Sequence, residues 1–179
     1  MYKQKRLSFL RRFLNALMIS IQDIPSSIIN PMSLRMNFHV DDLRLSIARR
    51  IINYYGYELD IRIIPRGARR QRNCSRFYDS RKNLAFLRDC IKWSGLSQAQ
   101  FAAELNLSRD ALAYWFKTDD IRLSRIYHIA YHINANILFI IYRVDAHFDS
   151  TEPIVSDSIF LNEAQPISLN LLRHDSKIQ

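Results

Sequence analysis

His128 and His132 stand four residues apart on a segment of helical periodicity, a spacing at which two imidazoles on one helix face can share a metal ion. The other soft ligands are Cys74 and Cys90, sixteen residues apart and forming no C-x-x-C pair. Cys90 falls on an apolar helical stripe, and no acid completes a local cluster. Metal binding is therefore not expected, and the two histidines read as exposed side chains flanking an apolar face. Covalent and phosphate-transfer chemistry fare no better. There is no G-x-S-x-G segment and no phosphate-binding glycine loop, for which 3 glycines leave little room. The expectation is a protein that is not an enzyme and uses no cofactor and no metal. Its remaining chemistry is ionic. With 26 Lys and Arg against 17 Asp and Glu, the formal net charge is +9. The pI near 9.8 favours a polyanionic partner, either nucleic acid or a membrane surface.

That charge is unevenly spread. Residues 1–82 carry 17 basic and 6 acidic side chains, residues 83–145 carry 7 and 6, and residues 146–179 carry 2 and 5. The densest basic run, PRGARRQRNCSRFYDSRK at 65–82, holds 7 basic residues and 1 acid without apolar periodicity, and reads as a linker. Two cysteines are too few for a disulfide framework, so a reduced cytoplasmic setting is expected. No apolar run approaches the roughly 20 residues of a membrane span. The first 21 residues pair basic side chains with a short apolar stretch, as a signal peptide does. Arg11 and Arg12 interrupt that stretch and no A-x-A site follows, so it reads instead as part of the fold.

The elements that must position these groups occur twice. Residues 38–64, FHVDDLRLSIARRIINYYGYELDIRII, align with residues 116–142, FKTDDIRLSRIYHIAYHINANILFIIY, at an offset of 78. Phe38 falls on Phe116, Asp41-Asp42 on Asp119-Asp120, Arg44-Leu45-Ser46 on Arg122-Leu123-Ser124, and Ile61 on Phe139. A tandem repeat governs the architecture and implies a pseudo-symmetric molecule. With 48% hydrophobic residues, the chain can bury a core. Few glycines and 5 prolines favour helices over a turn-rich β fold.

Repeat two is the clearer copy. Phe86, Leu87, Cys90 and Ile91 form a helical stripe, which Gly95 ends. Ser97 and Gln100 make a capping box for a second helix with Phe101, Ala102 and Leu105 inward. Asn106 makes a turn, and Ser108 caps a third helix carrying Leu112, Trp115 and Phe116 as apolar positions. Phe101, Trp115 and Phe116 are expected in the core. A fourth helix buries Leu123, Ile126, Ile129, Ala130 and Ile133, and the continuous apolar run ILFIIY at 137–142 reads as a buried strand. In repeat one, Phe9, Leu10, Phe13, Leu14 and Leu17 give the first stripe, and Ile24 and Ile28 match Phe101 and Leu105. Pro25 falls inside the second helix, which should be shortened or displaced. Asn30-Pro31 starts the third helix. The strand at 57–63 alternates strictly, so one face is buried and one wet. The acids of the paired DDxRLS segments read chiefly as caps for the fourth helix of each repeat, with Arg44 and Arg122 pairing to them; DNA contact is the alternative. In the tail, Ile167, Leu169 and Leu171 alternate, which fits a short extra strand.

The segment GLSQAQFAAELNLSRDALAYWF at 95–116, followed by the L-x-x-I-x-x-I-A-x-x-I pattern at 123–133, resembles the lambda-repressor-like, XRE-type helix-turn-helix family. The resemblance covers roughly residues 84–135; repeat one matches only through repeat two. Two short helices joined by a tight turn leave the third helix protruding and narrow enough for the major groove. The resemblance implies that Gln98 contacts phosphate or base, and that Ser108, Arg109, Asp110, Ala113, Tyr114 and Lys117 line the outer side of the third helix or lie just beyond it. Arg109 would address guanine, Tyr114 or Lys117 phosphate, and Asp110 would complement the helix dipole rather than a base. Phe116 departs from the family, which usually has a polar residue there. Asp119 and Asp120 add negative charge near the expected DNA face, and the third helix is barely basic. Electrostatic affinity would then come from repeat one and the linker. The linker arginines, Arg69, Arg70, Arg72 and Arg76, fit either a solvated loop or an arm along the minor groove.

The expected fold is mainly α. Two tandem lambda-repressor-like units each end in a β-strand, and strands 59–64 and 137–142 pair as a small antiparallel sheet. The expected domains are a degenerate unit at 1–65, the linker at 66–82, the clear helix-turn-helix unit at 83–145 and an acidic polar tail at 146–179. The expected function is sequence-specific binding of double-stranded DNA, as a prokaryotic, phage or mobile-element transcriptional regulator. The chain would act as a monomeric pseudo-dimer or as a homodimer. A protein-interaction module, such as an antitoxin or mobile-element adaptor with a protein partner docked on the tail, is the alternative. A membrane-surface role through residues 1–21 is the weakest reading, and no membrane partner is expected.

Overall fold

Pro25 decides how the first repeat departs from the second. Ser20 caps a single 3-10 turn, Ile21–Asp23, and the Asp23 carboxylate accepts from the Ser20 N–H at 2.8 Å. The helix then stops, because Ile24 precedes a proline and takes extended backbone, φ −77° and ψ 124°. At the matching place in repeat two Ser97 and Gln100 form the same box, and a seven-residue helix follows.

The computed structural model describes residues 6–65, 84–143 and 155–159. Repeat one consists of α1 (Ser8–Ala16), the 3-10 turn, α2 (Pro31–Val40), α3 (Leu45–Tyr54) and β1 (Tyr57–Pro65). Repeat two consists of α4 (Ala85–Ser94), α5 (Gln98–Glu104), α6 (Arg109–Thr118), α7 (Leu123–His132) and β2 (Ala135–Arg143), after which comes β3 (Val155–Ile159). The protein is mainly helical with a small antiparallel sheet, as expected. The repeat extends to left-handed backbone positions that sequence comparison alone does not reveal. Met18 matches Gly95, Asp41 matches Asp119, and Gly56 matches Asn134, all with φ between 48° and 80°.

β1 and β2 pair antiparallel from Tyr57↔Arg143 to Pro65↔Ala135, with Ile61↔Phe139 at the centre. Those central residues are also equivalent in the repeat, and a residue paired with its own equivalent marks a pseudo-two-fold axis. A second such pair, the isolated bridge Arg44↔Arg122, lies at the DDxRLS crossing. Its hydrogen bonds are reciprocal: the Leu45 N–H donates to the Ile121 carbonyl at 2.8 Å and the Leu123 N–H to the Leu43 carbonyl at 2.9 Å.

The DDxRLS acids cap the fourth helix of each repeat and pair with Arg44 and Arg122, as expected; the crossing between repeats is what the sequence did not show. The second acid of each pair crosses to the other repeat. Asp120 accepts from the Ser46 N–H at the start of α3 at 3.0 Å, and Asp42 accepts from the Ser124 N–H at the start of α7 at 2.9 Å. Arg44 pairs with Asp120 at 3.2 Å and Arg122 with Asp42 at 3.4 Å. The first acid stays in its own repeat, where it holds the first helix. Asp41 accepts from the Arg6 and Leu7 N–H groups, and Asp119 accepts from the Leu84 N–H at 3.1 Å. The left-handed backbone at Asp41 and Asp119 fits this use, since Asp tolerates that region better than most residues.

One hydrophobic core runs through both repeats. The first helices exchange places over the sheet: Phe9 of α1 stacks on Phe139 of β2, centroids 4.2 Å apart, while α4 packs against β1. Tyr127 of α7 lies against Phe139 and donates its hydroxyl to the Arg6 carbonyl at 3.1 Å. β1 alternates as expected. β2 does not bury both faces: Ala135, Ile137, Phe139 and Ile141 are sealed, whereas Leu138, Ile140 and Tyr142 are half-buried. Ile29 rather than Ile28 is the buried residue after the 3-10 turn, and the loop before α2 has no counterpart of the left-handed Asn106 turn. The tail contributes β3 at Val155–Ile159, beside β2; the strand expected at 167–171 lies outside the described residues.

Candidate nucleic-acid interface

Ser108 and Ser97 set the geometry of the surface. The Ser97 hydroxyl accepts from the Gln100 N–H, and the Gln100 side chain accepts from the Ser97 N–H at 2.9 Å, so α5 begins at Gln98. α5 ends with the Leu107 N–H donating to the Ala102 carbonyl at 2.9 Å, and Asn106 takes left-handed backbone, φ 52°. Ser108 restarts the chain, accepting from the Ala111 N–H at 3.1 Å. α5 and α6 pack together with Phe101, Ala102, Leu105 and Leu112 buried.

Every residue of repeat two that the sequence assigned to the site faces solvent. Gln98 is the first residue of α5; Arg109, Asp110, Ala113, Tyr114 and Lys117 lie along α6, with Ser108 at its cap, and all are exposed. Asp110 lies in the first turn of α6, where a carboxylate complements the dipole, and Lys117 in the last. Arg109 has no ion pair among the described residues. Arg69, Arg70, Arg72 and Arg76 lie outside the described residues.

Two expectations about the surroundings change. Asp119 and Asp120 keep their charge but turn to helix caps rather than to the outer face: Asp119 accepts from the Leu84 N–H, and Asp120, 9% exposed, from the Ser46 N–H. Trp115 and Phe116 are half-buried rather than core residues. Phe116 carries Arg88 of α4 over its ring at 4.5 Å, which accounts for an aromatic residue at this position. Repeat one has the same device: Arg11 of α1 lies 4.6 Å over the Phe38 ring and donates from Nη2 to the Phe38 carbonyl at 2.6 Å. The sequence reading missed this pair, although an offset of 77 aligns Arg11 with Arg88.

α2 is the counterpart of α6 across the pseudo-two-fold. Met32, Arg35, Met36 and His39 occupy the places of Asp110, Ala113, Tyr114 and Lys117, and all four are exposed. His128 and His132 are half-buried, with Nε2 atoms 3.0 Å apart. Burial first, then His132 and Arg125, holds the His128 imidazole below its usual value. No cluster of three or more metal-ligating side chains occurs among the described residues. Burial pushes the Cys90 thiol up to about 12. Burial and a 2.7 Å hydrogen bond to Glu58 raise the Tyr142 phenol. Phe9, Leu10, Phe13 and Leu14 of α1 are buried, so its apolar stripe is not a free lipid-binding face. No helix among the described residues is long and apolar enough to cross a membrane. Searches of protein-family models, of curated proteins and of solved structures found no match to the chain.

Proposed function

We propose that the chain is a sequence-specific binder of double-stranded DNA, acting as a transcriptional regulator in a prokaryote, phage or mobile element. It would work in the cytoplasm, on the nucleoid. The carrying observation is the exposed row Gln98, Ser108, Arg109, Ala113, Tyr114 and Lys117, presented by two capped helices that meet at a tight turn. Ser108 and Arg109 begin α6, so its free N–H groups and the Arg109 fork sit at the same end, suited to phosphate and to guanine O6 and N7 respectively. The pseudo-two-fold supports a bipartite site, because dimers of this motif address half-sites about one helical turn apart. One chain holding both units could act without a second copy. No reacting group is needed; positioning and base contact suffice.

Selection from a random duplex library, followed by binding at several salt concentrations, tests this reading. An enriched sequence bound with a moderate salt slope is expected. Steep salt dependence without enrichment rejects sequence readout.

A second reading rests on the exposed apolar side chains Met18, Met32, Met36 and Val40 of repeat one. Such residues suit a protein partner, and the acidic tail offers a further docking segment. Removing residues 160–179 spares β3; loss of a co-purifying partner with DNA binding intact would favour this reading.

A further inference from the structure

We infer that α2 of repeat one reads thymine methyl groups, so that the DNA site is asymmetric, with a T-rich half facing repeat one. The inference rests on the DNA-binding reading and goes further by assigning the second half-site a base chemistry. Three observations carry it. First, the self-equivalent pairs Arg44↔Arg122 and Ile61↔Phe139 place α2 and α6 in equivalent positions about one axis. A two-fold rotation preserves height along its axis, so a duplex met by α6 along that axis also meets α2. Second, the outer face of α2 is built as a helix surface and not as a collapsed remnant. Asn30 caps it by accepting from the Met32 N–H at 2.8 Å, Pro31 fills its first turn, and Leu34 and Phe38 anchor its inner side. Third, that outer face carries Met32, Met36 and Val40 where α6 carries Asp110, Tyr114 and Thr118. Met32 is 66% exposed and Met36 and Val40 are each 55% exposed. Arg35 and His39 stand beside them on the exposed side.

The thymine 5-methyl is the apolar group that base edges offer in the major groove, and apolar side chains recognise it by contact. Methionine is suited to such a target: it is unbranched and polarizable, and adapts to shallow apolar surface. Arg35 supplies the positive charge that holds the helix against phosphate, within a basic half of the chain. A protein partner would accept the methionines equally well, but it would not explain why they occupy the reading positions of a helix equivalent to α6.

The test uses the full chain on a duplex selected from a random library. The half-site facing repeat two is identified by the base position at which Arg109→Ala relaxes preference. Thymines in the other half are then replaced by deoxyuridine, which removes the 5-methyl and leaves pairing unchanged. Each methyl contact withdrawn should weaken binding roughly four-fold, the effect of exposing one buried methyl-sized group. Met32→Gln with Met36→Gln should weaken binding to the thymine duplex and make the chain indifferent to the replacement. Both positions are exposed, so folding should survive the change. Equal affinity for thymine and deoxyuridine duplexes overturns the inference while leaving repeat two as a reader. So does a selected site with bases specified in one half only. A library with no enriched sequence overturns the DNA reading as well. If the double glutamine variant binds DNA normally but loses self-association in sedimentation, the methionine face docks a second copy and the inference fails.

Discussion

Replacing Asp120 by alanine should destabilise the protein by about 1.5–5 kcal/mol, the sum of a lost cap and an orphaned buried donor. Asp120 is 9% exposed and accepts from two backbone groups, the Ser46 N–H at 3.0 Å and the Ile121 N–H at 2.9 Å. Loss of an N-cap costs about 0.5–2 kcal/mol, and a buried donor left without a partner costs about 1–3 kcal/mol. The Arg44 ion pair adds little, since the Arg44 side chain is 50% exposed and such pairs contribute about 0–1 kcal/mol. Asp42→Ala removes the matching cap on Ser124 and should cost about 1–2 kcal/mol. Asp110→Ala is the control: it is an exposed first-turn acid whose dipole interaction is worth about 0.3–1 kcal/mol. Urea unfolding followed by circular dichroism measures all three. Because both crossing carboxylates tie one repeat to the other, the double variant should also broaden the transition as the two units begin to unfold separately. If Asp120→Ala costs no more than Asp110→Ala, the crossed caps do not hold the repeats together and the pseudo-dimer argument fails.

Three further outcomes follow from the same structure. Met18→Gly should stabilise by up to about 1 kcal/mol in urea unfolding, because Met18 holds left-handed backbone at φ 54° and its 94% exposed side chain packs against little; a loss of stability would show that the side chain matters. Cys90 should resist thiol alkylation in the native protein and react only on unfolding, since burial raises its pKa to about 12; rapid native labelling would contradict its burial. The His128 imidazole is held low in the fold, so the unfolded chain takes up its proton first as pH falls. Stability should therefore decline as pH drops from about 6.5 towards the lower folded value, and His128→Gln should remove that part of the slope.

What the sequence made legible is what short-range chemistry decides. Ser97 with Gln100, Ser108 and Gly95 are local signals, and each appears at the helix end it implied. Pro25 interrupts a helix by its own geometry and that of Ile24, so the stunted second helix of repeat one could be anticipated. Strand pairing followed from the repeat, since two equivalent strands related by a pseudo-two-fold meet antiparallel. What stayed hidden depends on distant partners. The DDxRLS acids suit a cap anywhere within reach, and nothing local says that Asp42 serves Ser124 and Asp120 serves Ser46. The exchange of α1 and α4 across the sheet is hidden for the same reason. β3 was missed because VSDSI has a weak apolar pattern, and an existing edge of β2 gives it its partner. In the site, exposure of Arg109 and its neighbours was legible from the spacing of Leu112 and Phe101. Consumption of Asp119 and Asp120 by capping was not.

Repeat two is proposed to read bases through the start of α6. Affinity of Arg109→Ala for the selected duplex and its single-base variants tests it most directly. A loss of about 1–3 kcal/mol and relaxed preference at one base position are expected. Unchanged affinity together with unchanged preference at every position would contradict it.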